Sequence, residues 1–145
     1  MREADFSERI KTILCERVGG RCSNPKCRRE TLGPHKKVDK RLSIGQAAHI
    51  YAASPDGARY DPRMTNEERA SINNGIWLCS DCHALIDKNS KEYPAEELIK
   101  WKIIAEHEQE CRLKGKELVP FQSQQMERKR EALKQVKYAI DCLHD

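Results

Sequence analysis

Asn74-Gly75-Ile76-Trp77-Leu78-Cys79-Ser80-Asp81-Cys82-His83 joins a short apolar run to a close-spaced cysteine pair and a histidine. Gly75 to Cys79 is short, apolar and rich in strand-forming side chains, so it reads as a brief β-strand. Ser80 then suits the cap of a helix carrying Cys82, His83, Leu85, Ile86 and Asp87. Cys79 and Cys82 therefore straddle a strand-to-helix corner, and the partly positive helix N-terminus favours thiolates there. A second pair, Cys22-x4-Cys27, lies upstream around an Asn24-Pro25 turn. Two short-spaced pairs can reach one tetrahedral ion, and four thiolates leave it no open position. Cys22, Cys27, Cys79 and Cys82 are thus expected to hold a structural Zn2+, which would tie a knuckle at residues 21–30 to the corner at 79.

Outward from this clamp, Phe6, Ile10, Ile13, Leu14 and Val18 recur at helical spacing, with Ser7 as a cap and Gly19-Gly20 as the stop. Residues 31–41 read as a polar, basic loop. The mostly apolar run from Leu42 to Ala53 reads as a second strand, centred on residues 46–51. The SPDGARYDPRM segment at 54–64 is turn-rich, and Thr65 with Glu68 forms a capping box for a short helix. Pro94 opens a helix from about Ala95 to Lys114, ended by Gly115. After Pro120 a last helix is expected over about 122–143. There Met126, Leu133, Val136, Ile140 and Leu143 follow heptad-like steps. That stripe suits packing onto the domain, a homodimer seam, or a docking site for a regulatory protein partner. Residues 1–115 are expected to form the main domain and 116–145 a C-terminal helical extension.

Composition narrows the class. The chain has 145 residues, of which only 38% are hydrophobic, so a structural metal would help stabilise its small core. Its longest apolar runs are too short to span a bilayer, and MREADFSERI has no apolar signal core. Seven cysteines, four of them in short pairs beside histidine, fit a metal site in a reducing, cytoplasmic setting better than a disulfide framework. The net charge of +4 is uneven: residues 21–41 hold eight basic side chains against two acidic ones. Arg28, Arg29, Lys36 and Lys37 belong to this cluster, which suits a phosphate backbone.

Further residues carry candidate chemistry. His83 follows a zinc thiol, so it faces a different side of its helix, about 100° away. Asp87 lies four residues on, and an imidazole and a carboxylate at that spacing can share a hard divalent cation. His49 stands alone in its apolar strand. If the strand at 46–51 pairs with that at 75–79 under the helix, His49 and His83 are expected to face each other across a small cleft. A neutral His49 imidazole could there take a proton from water. Asn74 could orient His49 or steady the loop between the strands, and the neighbouring Asn73 is an alternative. Arg59, in that loop, could grip a phosphate or form a loop salt bridge with Asp56 or Asp61.

Cys22-x4-Cys27, SIGQAAHIYAASPDGARYD, NNGIWLCSDCHALID and the Leu98–Lys102 helix together resemble the HNH endonuclease family, over about residues 15–107. Within that family the stretch resembles HNH nuclease domains of bacterial anti-phage effectors. The resemblance implies an α+β fold: a ββα-metal core with a four-cysteine zinc knuckle, flanked by an N-terminal helix and C-terminal helices. It makes His49 the general base, Asn74 the middle residue of the motif and His83 a ligand of a catalytic Mg2+ or Mn2+. Many members carry an acidic metal ligand just before the base, where this chain has Ala48; Asp87 is the expected replacement. The implied activity is metal-dependent hydrolysis of phosphodiester bonds in DNA, or in RNA. The alternative is a zinc-stabilised nucleic-acid-binding module without catalysis.

Overall fold

A computed structural model describes residues 3–118 and 125–132. Its elements run α1 (Glu8–Arg17), β1 (Leu32–Pro34), β2 (Arg41–Ser43), β3 (Gly45–His49), α2 (Asn66–Arg69), a 3-10 turn (Ile72–Asn74), β4 (Gly75–Cys79), α3 (Ser80–Lys88) and α4 (Ala95–Leu113). Residues 125–132 are also helical; of the heptad-like stripe only Met126 falls among the described residues.

The centre is the antiparallel β3–β4 ribbon, in register from Gly45 opposite Cys79 to His49 opposite Gly75. Strand alternation gives the ribbon two faces. Ala48 and Ile50 join Ile76, Leu78, Ile86, Leu98 and Trp101 in the larger core cluster, so the even positions of β3 look toward α3. Ala47 packs instead with Cys15, Val18, Trp77 and Ala105, which places α1 on the opposite face. α4 contributes to both clusters and braces the ribbon from the side. Gly75 is what allows α1 to approach so closely: a Cβ there would collide with Leu14 Cδ1 and stand 3.2 Å from the Phe6 ring.

Local chemistry fixes the boundaries. Ser7 accepts the Ile10 N–H, and left-handed Gly19 and Gly20 end α1. Thr65 and Glu68 close a reciprocal capping box on α2. Two details depart from the sequence reading. The cap of α3 is Cys79, whose Sγ accepts the Cys82 N–H at 3.4 Å, while Ser80 Oγ donates to the Ile44 carbonyl. Residues 31–41 are not a plain loop: β1 and β2 pair as a hairpin, with Leu32 opposite Ser43 and Pro34 opposite Arg41. Polarity hid that hairpin because both of its strands are solvated, with no buried face to impose an alternating pattern.

Candidate metal centre and catalytic site

The four expected zinc ligands converge. The Sγ atoms of Cys22, Cys27, Cys79 and Cys82 all lie within 4.8 Å of one another. Cys22, Cys79 and Cys82 are buried and Cys27 is half-buried; all are free thiols. Arg28, in a left-handed conformation, closes the knuckle, with Cys27 and Arg28 N–H groups both donating to the Asn24 carbonyl. Asn24 Nδ2 donates to Cys82 Sγ at 3.4 Å. Burial pushes the Cys22 thiol up to about 11 and raises Cys82 as well. Cys22 and Cys82 are thus costly to ionise without a cation beside them, and a soft tetrahedral set of four sulfurs fits Zn2+.

His83 projects from the first turn of α3. Its Nδ1 is hydrogen-bonded to Gln46 Oε1, and its Nε2 lies 3.2 Å from Asp87 Oδ2. The His83–Asp87 pairing expected from the i, i+4 spacing is therefore formed. Nδ1 thus faces Gln46 and Nε2 is the nitrogen turned to Asp87. Gln46 is not among the candidates that the sequence singles out. A signal for it exists all the same, because alternation from Ala48 puts residue 46 on the α3 face.

His49 occupies the other face. Its Cα partner is Gly75, whose missing Cβ points at Leu14 and Phe6, and its ring stacks on Phe6 with centroids 4.0 Å apart and an interplanar angle of 11°. Its Nε2 lies 2.7 Å from the Ala4 carbonyl. The expected cleft with His49 and His83 facing each other is thus not formed: the ribbon separates them. The reason is parity. His49 is an odd number of residues from Gln46, the β3 partner of His83.

Asn74 is 4% exposed, and its amide braces the loop. Oδ1 accepts the Tyr51 N–H at 2.9 Å, and Nδ2 donates to the Tyr51 and Arg69 carbonyls at 2.9 Å each. It thereby pins the chain two residues beyond His49 to the end of α2. Asn73, by contrast, is exposed. Asn74→Ala leaves one part-buried N–H and two carbonyls without these partners. At roughly 1–3 kcal/mol per group, we expect a loss of about 3 kcal/mol in urea denaturation. A loss below about 0.5 kcal/mol would contradict the bracing role.

Two arginines turn inward. The Arg59 side chain is 6% exposed; it donates to the Ile50 and Ile86 carbonyls at 2.8 Å and lies 3.5 Å from Asp87 Oδ1. Its expected loop partners, Asp56 and Asp61, are replaced by Asp87, and desolvation lowers its pKa. Arg28 donates to the Ser23 carbonyl at 2.6 Å and pairs with Glu108 at 2.9 Å. Both arginines clamp segments of the protein together. Arg29 is half-exposed beside Asp81 at 3.5 Å, and Lys36 and Lys37 are exposed at the β1–β2 hairpin tip.

Residues 22–90 match the family model described as HNH endonuclease. This segment is similar to the HNH family. The match spans both cysteine pairs, His49, Asn74, His83 and Asp87, and the ββα arrangement of β3, β4 and α3 is the fold expected of the HNH domain. No curated protein matches the chain. No helix among the described residues is long and apolar enough to cross a membrane.

Proposed function

We propose that the protein is a metal-dependent endonuclease that hydrolyses phosphodiester bonds in double-stranded DNA. The observation that carries this reading is the HNH segment with its His83–Asp87 pair, 3.2 Å apart, on the helix beside the four-cysteine cluster. The cysteines would hold Zn2+ as a fastener without an open position. His83 and Asp87 would hold Mg2+ or Mn2+, an N/O donor set with one carboxylate, leaving positions for water and a substrate phosphate. A cation held there supplies charge neutralisation for the phosphate and its departing oxygen.

This reading requires His49 and the His83–Asp87 pair to serve one phosphodiester from opposite faces of the ribbon. β3 pairs only with β4 among the described residues, which leaves its other edge without a strand partner. A phosphate would have to lie across that edge to meet side chains from both faces. Water would attack phosphorus as its proton passes to His49. The bond from phosphorus to the 3′ oxygen breaks, and that oxygen takes a proton from solvent. Gln46 holds the orientation of His83, and Arg59 holds Asp87 in place.

Nucleic acid would be gripped by the basic β1–β2 hairpin and Arg29. His35, Lys36, Lys37, Lys40 and Arg41 are all exposed there, against the single acidic Asp39. Replacing Lys36 and Lys37 by Gln is expected to lower the salt slope of duplex binding by about 2, at roughly 0.9 per phosphate contact. Fluorescence anisotropy at several salt concentrations measures it; an unchanged slope would remove the hairpin tip from the interface.

A second reading, a zinc-stabilised nucleic-acid-binding module, is favoured by Ala48 in place of an acidic ligand and by the ribbon between the two imidazoles. Supercoiled plasmid incubated with Mg2+, Mn2+ or EDTA decides between the two. Metal-dependent nicking supports the enzyme; gel shifts without nicking support the binder. A defence role, and a partner bound through residues 116–145, are parts of the proposal whose test is pull-down and phage challenge with that extension removed.

A further inference from the structure

The HNH match begins at residue 22, yet a stacking partner and a hydrogen-bond partner of the His49 ring come from far upstream. Ala4 and Phe6 are each 2% exposed, so this short segment is packed into the molecule. Two anchors hold it. Glu3 Oε2 accepts from Asn66 Nδ2 at 3.0 Å, and Ser7 caps α1 immediately after Phe6. A third condition is Gly75, the strand partner of His49, whose lack of a side chain leaves room for Phe6.

The chemistry of the contact is specific. A backbone carbonyl can only accept, so the 2.7 Å approach of Ala4 O to Nε2 requires a hydrogen on Nε2. In the neutral ring the basic lone pair then sits on Nδ1. The Phe6 ring lies flat against one face of the imidazole, nearly parallel at 11°, and restricts its rotation. Together the two contacts select one tautomer and one ring orientation.

We propose that Ala4 and Phe6 are positioning residues of the catalytic site: they lock His49 as the Nε2–H tautomer and so assign proton acceptance to Nδ1. This rests on the reading of His49 as the general base. It adds that the site is incomplete within residues 22–90 and depends on a segment preceding α1.

The test is nitrogen-15 NMR of the neutral His49 ring in the full chain, run beside plasmid nicking. The wild type is expected to show the Nε2–H tautomer, with a ring proton slow enough in exchange to be observed. In Phe6→Leu, which keeps an apolar side chain in the core, the tautomers are expected to mix. Nicking should fall by on the order of tenfold to a hundredfold, a part of what general-base catalysis contributes, with zinc content and duplex affinity unchanged. A wild-type Nδ1–H tautomer overturns the proposal whatever the variant does. So does a Phe6→Leu protein whose tautomer and nicking match the wild type. A locked Nε2–H tautomer in a wild type that nicks no DNA leaves the ring geometry standing and defeats the nuclease reading instead.

Discussion

His49→Ala is expected to reduce metal-dependent plasmid nicking by about 10²–10⁴-fold, the usual contribution of a positioned general acid or base. The variant should keep its zinc and its duplex affinity. The physical reason is that His49 lies outside both hydrophobic clusters and the thiol group: it ends β3, and its ring rests on the N-terminal segment. Removing its ring leaves Ala48, Ile50 and the β3–β4 register with their own partners. Undiminished cleavage would remove His49 from the mechanism, and loss of zinc in parallel would recast it as a structural residue.

The second large effect is expected from the thiol cluster. Stripping the metal with a strong chelator, or Cys79→Ala, should unfold the domain. Binding of a structural zinc is worth about 10–16 kcal/mol in small zinc domains. A domain of this size holds a net stability of about 5–15 kcal/mol. The ion's contribution is therefore of the same size as the whole net stability, and its loss is enough to unfold the chain. Cys22 and Cys27 sit on the knuckle after α1, while Cys79 and Cys82 frame the corner between β4 and α3. Without a shared ion, knuckle and corner would be left with weak ties: the Ser23–Trp77 backbone bond, the Asn24–Cys82 contact and the half-exposed Arg29–Asp81 pair. Circular dichroism melting with simultaneous zinc release is the check. A cooperative melt unchanged by chelation would show that the thiols are dispensable for folding.

What is legible in the sequence follows from how local each signal is. The strand-to-helix corner, the two cysteine pairs, the Thr65–Glu68 capping box and the His83–Asp87 spacing each depend on residues a few positions apart, and all are formed. Period-two parity is equally local. Counted from Gln46 to His49, it puts the two imidazoles on opposite faces, against the expectation of a shared cleft. Arg59 illustrates a harder case. Its partners Ile50, Ile86 and Asp87 come from the end of β3 and from α3, and only the folded chain brings a loop arginine against three carbonyl- and carboxylate-bearing groups. The contact of Ala4 with His49 spans 45 residues and uses a main-chain oxygen, which no side-chain pattern can announce. Lys102 is similar. It is buried, its Nζ donates to the Gly75 carbonyl at 2.6 Å, and desolvation lowers its pKa to about 8, although the sequence shows only a charge at the edge of an apolar stripe.

The most direct test of the account is cleavage in water enriched in oxygen-18, with Mn2+ or Mg2+ and with zinc retained in the protein. Hydrolysis through a His49-activated water predicts one heavy oxygen on the 5′-phosphate at each break, a 3′-hydroxyl opposite it, and no label or break in EDTA. Intact DNA under every metal condition, or breaks whose phosphates carry no label, would contradict it.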